Sequence, residues 1–192
     1  MVRSARPAGA TTSAGRDEPD GGPMSIEVLN ESGVQVDERS LVEVARYVLD
    51  RMGVSPLVEL AISLKDIAEM ERLHVQYMDE PGPTDVMAFP QDELDLRGSR
   101  GVAHTSGGGG GGGQDSEDEM PTLLGDVVLC PEVAERQGRE AGHGTAAELE
   151  LLTTHGVLHL LGYDHGEPDE HEEMFGLQGE LLTDWRTSRN EG

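Results

Sequence analysis

The run from His155 to His165, His-Gly-Val-Leu-His-Leu-Leu-Gly-Tyr-Asp-His, leaves this chain few choices of local structure. Residues four apart lie one above the other on a helix, so His155 and His159 aim two ring nitrogens at one point when the backbone between them is helical. Gly162 follows, and a residue without Cβ adopts the left-handed conformation that ends a helix. Past that turn His165 swings back as a third ligand. Three imidazoles leave one position of a tetrahedral ion open, which is the arrangement of a catalytic rather than a structural zinc, here one Zn(2+) per chain. A single histidine on such a helix is ordinarily a polar, half-buried residue with no metal. Three in register with a glycine at the turn are not accounted for that way.

The same spacing resembles the metzincin pattern H-E-x-x-H-x-x-G-x-x-H at every position but the second, where Gly156 stands in place of glutamate. In those peptidases the glutamate is the general base that deprotonates the attacking water. Its absence argues against peptide hydrolysis by that route and makes a metallopeptidase the weaker alternative.

The rest of the chain bounds where such a site can sit. A length of 192 residues suits one domain with a real core. With 35% hydrophobic and only 3% aromatic residues, that core is expected to be built from Leu, Val, Ile, Ala and Met. The one cysteine, Cys130, excludes an internal disulfide and, in its apolar setting, reads as a buried thiol. No run approaches the roughly 18 apolar residues of a membrane span, and the N-terminus lacks the apolar core of a signal peptide, so a cytoplasmic protein with no membrane contact is expected. A formal net charge of −24 repels phosphate backbones, so any RNA must be held locally, and the acidity favours a basic protein partner.

Residues 1–23 have no apolar period and are expected to stay disordered, with Met24 the expected true start. A strand is predicted near 26–30 and a helix over about 38–52, capped by Asp37 or Ser40. A second strand covers Leu57 to Leu64, and a helix Lys65 to Met78 places Ile67, Met70, Leu73, His74 and Tyr77 along one face, His74 reading as a packed or boundary residue. Pro81-Gly82-Pro83 forces a turn before an extended segment from Thr84 to Phe89. The polar pair Thr84-Asp85 there either serves a site or caps the turn. From about 92 to 120 the sequence is an acidic, glycine-rich insertion containing seven consecutive glycines, Gly107 to Gly113, and reads as a flexible loop. Leu123 to Cys130 is a buried strand, and Pro131 opens a helix. The histidine helix begins near Thr145 and is apolar on too broad a surface for exposure. A last helix spans about Asp169 to Trp185, and residues 187–192 form a tail after a domain of residues 24–186. The expected architecture is α+β: a single domain with a small mixed sheet packed against helices around a central metal-binding helix.

Three motifs in order carry a family resemblance: Pro83-Thr84-Asp85-Val86-x-x-Phe89-Pro90, then Leu124-Gly125-Asp126-Val127-x-x-Cys130, then the histidine run from His155 to Tyr163-Asp164-His165. Together they resemble the YbeY endoribonuclease family over about Ile26 to Trp185. The resemblance implies a metal-dependent hydrolase that cleaves single-stranded RNA, acts on an rRNA precursor at the 3′ end of 16S rRNA, and takes part in ribosome biogenesis and quality control beside small-subunit proteins. In this reading His155, His159 and His165 hold zinc, and Thr84, Asp85 and Asp164 are the other catalytic candidates, orienting an imidazole or a water; Asp164 reads equally as a turn cap. Water is the nucleophile, and attack by the ribose 2′-hydroxyl fits the same residues. Many members of the family carry an arginine before the Pro-Thr-Asp turn where this chain has Met78, and serine where it has Ala88; Arg72, Arg97, Arg100 or Arg139 are the candidates to replace that cation. The alternative from a different class is a ribosome-associated assembly factor whose metal is structural.

Overall fold

The strand Thr122–Leu129 (β4) is the axis of the molecule. Its run Val127-Val128-Leu129 is buried on both faces, as expected of a strand with layers on either side. The structure, a computed structural model, describes residues 24–91 and 122–190. The expectations for residues 1–23, for the glycine-rich insertion and for the last two residues lie outside them.

β1 (Ser25–Asn30), β2 (Val58–Leu64) and β4 run parallel, and β3 (Val86–Pro90) pairs antiparallel with β4, giving a mixed sheet in the order β1-β2-β4-β3. The parallel crossover between β1 and β2 is made by α1 (Glu38–Arg51), whose Asp37 side chain accepts the Ser40 amide as the cap. The register of β2 on β4 shifts beside Gly125, which has φ +140° and where a Cβ would stand 2.2 Å from the Phe89 carbonyl oxygen. Only glycine fits between β3 and β4 at that point.

α3 (Pro131–Ala141) starts with proline at its first turn, as expected, and leads into α4 (Gly144–Leu160), the histidine helix. α4 packs on β3, β4, α1, α3 and α5 (Pro168–Asn190) and is the central helix. The main core joins Leu41, Val48 and Leu49 of α1, Leu60 and Ile62 of β2, Leu149, Val157 and Leu158 of α4, and Met174 and Leu181 of α5. Met24 also packs in this core.

Two elements differ from expectation. α2 (Ile67–Met78) fully buries only Met70, over a small cluster of Met87, Val128, Cys130 and Val133, while Ile67 and Tyr77 of the predicted apolar face are 37% and 56% exposed. An edge helix on one side of a four-stranded sheet has little to cover. α5 continues past Trp185 to Asn190, taking residues 187–190 into the helix. The reason is electrostatic: Arg189 Nη1 donates to the buried Glu150 carboxylate at 2.9 Å and to Ser40 Oγ at 3.1 Å, tying α5 to α4 and α1. Among the described residues no helix is long and apolar enough to cross a membrane.

Candidate metal centre and cleft

α4 ends as its sequence demands. The Gly162 amide donates to the His159 carbonyl at 2.9 Å and the Tyr163 amide to the Leu158 carbonyl at 3.0 Å, the two bonds of a Schellman motif, with Gly162 at φ +84°. The chain thus doubles back over the last turn of the helix, and the Asp164 side chain accepts the His165 amide at 2.7 Å. His165 arrives beside the other two rings, with centroids 5.4 Å from His155 and 5.0 Å from His159.

One ring nitrogen from each of His155, His159 and His165 falls within 4.8 Å of the others. His155 Nε2 and His159 Nε2 are 3.0 Å apart, close to the roughly 3.3 Å between two nitrogens on one tetrahedral ion with bonds of about 2.0–2.1 Å. Burial pushes the His155 and His159 imidazoles below their usual range, and the neighbouring histidines push the same way. Both rings are therefore neutral at neutral pH, the form that offers a lone pair to a metal. The donor set fits a divalent ion of borderline softness, and with three protein ligands it leaves room for a further one.

The histidines form one wall of a cleft of about 650 Å³ whose other walls include Thr84, Asp85, Met78, Ala88, Tyr163 and Asp164. All three non-histidine candidates are thus brought to the cleft, but their hydrogen bonds differ. Asp85 is committed to its surroundings: Oδ1 accepts the Val86 amide at 2.8 Å and the Thr84 hydroxyl at 3.2 Å, and Oδ2 accepts Gln137 Nε2 at 2.9 Å. Asp164 gives one oxygen to the turn and is exposed. His74 is half-buried, and its Nδ1–H donates to the Gly82 carbonyl at 2.8 Å, bracing the proline turn. Cys130 is buried, and burial raises its thiol pKa, so it is a packing residue.

No lysine or arginine lines the cleft among the described residues. Arg72 pairs with Glu69, and Arg139 with Glu135, both on exposed helix faces. Arg97 and Arg100 lie outside the described residues. Met78, 53% exposed, stands at the cleft itself.

Three supporting side chains have no local signal in the sequence. Gln178 Oε1 on α5 is 2.9 Å from His155 Nδ1, Phe175 on the same helix has its ring 5.7 Å from that of His155 and 5.8 Å from that of His165, and Gln137 on α3 holds Asp85. Only their long-range placement reveals them.

Comparison with known proteins gives a consistent picture. A sequence model of the family described as Endoribonuclease YbeY matches residues 26–186. A protein of Acidothermus cellulolyticus named Endoribonuclease YbeY is 57% identical over 86% of this chain and 94% of its own length. One of Thermobifida fusca with the same name is 54% identical over 88% of this chain and 98% of its own. A solution structure from Thermotoga maritima, 24% identical, shares the fold with a TM-score of 0.52 over 87% of this chain and 95% of that one.

Proposed function

Because the chain belongs to the Endoribonuclease YbeY family, we propose that it is a zinc-dependent endoribonuclease that cuts single-stranded RNA in the cleft beside His155, His159 and His165. The observation that carries the reading is the meeting of three imidazole donors at one wall of an open cleft. A structural site is closed by a fourth protein ligand, whereas this group has three among the described residues.

A divalent ion there supplies a Lewis acid for a phosphoryl oxygen and a water acidified to a pKa of about 7. The chain's own residues do the rest. His155, His159 and His165 fix the point at which the scissile phosphate is held. Asp85 locks the Pro83–Val86 turn, so that Thr84 presents its hydroxyl at a fixed place on the cleft wall. Asp164 Oδ2, on a carboxylate anchored through Oδ1, takes the proton of the attacking water as the new phosphorus–oxygen bond forms and returns it to the departing ribose oxygen as the old one breaks. Cyclic phosphate ends would instead mark attack by the ribose 2′-hydroxyl.

The substrate in the cell is the 16S rRNA precursor at its 3′ end, cut in the cytoplasm during ribosome biogenesis and quality control. A net charge of −24 supports delivery by basic small-subunit proteins over extended contacts to RNA. The test is metal content and cleavage of labelled single-stranded and duplex RNA by the purified full chain. Near one zinc per chain is expected, with a cut in the single strand that a chelator abolishes and added zinc restores. Intact single strands with zinc bound would refute the nuclease reading and favour an assembly factor.

The lack of a lysine or arginine on the cleft wall among the described residues makes a gain-of-function prediction. Met78→Arg places a guanidinium at the cleft, adding one phosphate contact; RNA affinity should rise, and the slope of log affinity against log salt should steepen by about 0.7. An unchanged slope in a binding titration would show that position 78 does not reach the phosphates.

A further inference from the structure

We infer that Gln178 is the positioning residue of the histidine cluster, holding His155 in the tautomer that turns its Nε2 lone pair toward His159 and His165. The inference rests on the metal reading above and adds to it a residue from outside the histidine run.

Gln178 is 5% exposed and sits on α5 in a buried stripe otherwise made of Met174, Leu181, Leu182 and Trp185. An amide inside an apolar stripe costs free energy unless it is bonded. Its Oε1 lies 2.9 Å from His155 Nδ1, and a carbonyl oxygen accepts only, so Nδ1 carries the proton and Nε2 is bare. That bare nitrogen is the one 3.0 Å from His159 Nε2. His155 thus has one ring nitrogen pinned to α5 and the other committed to the cluster. Phe175, one turn earlier on α5, packs against the His155 and His165 rings and limits their rotation. An outer partner of this kind fixes both tautomer and ring orientation of a metal-binding histidine.

Two measurements decide it. In metal-free wild-type protein, nitrogen NMR of His155 at a pH where the ring is neutral should show the proton on Nδ1; a proton on Nε2 overturns the inference without any variant. Zinc affinity is then measured by competition with a chelating dye for the wild type, Gln178→Leu and Gln178→Glu. Leucine keeps the volume and removes the acceptor, so affinity should fall about 10- to 100-fold and the Nδ1–H population should drop. Glutamate restores an acceptor and should recover most of the affinity. A role confined to packing predicts a lower unfolding temperature for the leucine variant with tautomer and affinity unchanged, and that result refutes the inference. Failure of the wild type to bind zinc would sink the metal reading instead, and the NMR result would still decide the tautomer.

Discussion

His159→Ala is expected to abolish stoichiometric zinc binding and RNA cleavage together while leaving the fold intact. His159 is the middle ligand of the three, with its ring centroid 4.6 Å from that of His155 and 5.0 Å from that of His165. Removing it leaves two nitrogens, and the loss in affinity should exceed the 10- to 100-fold typical of outer partners. The fold should survive because the ring is only half-buried and belongs to none of the hydrophobic clusters, whereas neighbouring Leu158 and Leu160 carry the core. Thermal unfolding separates the possibilities. Zinc at one hundred times its dissociation constant should stabilise the wild type by about 2.7 kcal/mol and the variant by almost nothing, with the two metal-free proteins within about 1 kcal/mol of each other. Metal-free protein of either kind that is unfolded would make the metal structural and overturn the catalytic reading. A variant that still cuts RNA at the wild-type rate would move the active site elsewhere.

What could be read from the sequence was what depends on near neighbours. The two histidines four residues apart, the helix that carries them and its end at Gly162 all follow from helical period and the conformational freedom of one glycine. The buried strand ending in Cys130 and the proline that opens α3 follow from composition over a few residues. The order β1-β2-β4-β3 does not, because strand pairing is chosen by contacts far apart in the chain. The length of α5 is not local information either: its last turn is held by Glu150 and Ser40, on other helices, and the apolar stripe of the sequence stops short of it. On α2 the periodicity was real, but the face it describes stays largely exposed, since period reports which residues share a side and not how much lies opposite. Within the site, Gln178, Phe175 and Gln137 each come from an element other than the one they support. Nothing local tells such a side chain which distant residue it will support, and only the fold brings the two together.

Gly156→Glu, which would complete the peptidase pattern, is expected to destroy the fold rather than create a protease. Gly156 is buried on the side of α4 that meets the sheet, and a Cβ there would stand 2.7 Å from Val127 Cγ1 and 3.4 Å from Val86 Cγ2. The glycine is therefore a packing device that lets the helix approach β4, and a side chain at this position meets Val127 of β4 and Val86 of β3. The control is Gly156→Ala. One methyl group gains about 1 kcal/mol of helix propensity but forces overpacking worth roughly 1–3 kcal/mol, for a net loss of about 0–2 kcal/mol. Glutamate adds a longer chain and a charge with no partner in that layer, and the cost should exceed about 4 kcal/mol, a large share of the stability of a domain this size. Denaturant unfolding of both variants measures this, and an assay on unstructured protein tests for peptide hydrolysis in whatever fraction stays folded. A glutamate variant as stable as the wild type would show that α4 can withdraw from the sheet, and the close approach at Gly156 would then not be what excludes the peptidase base.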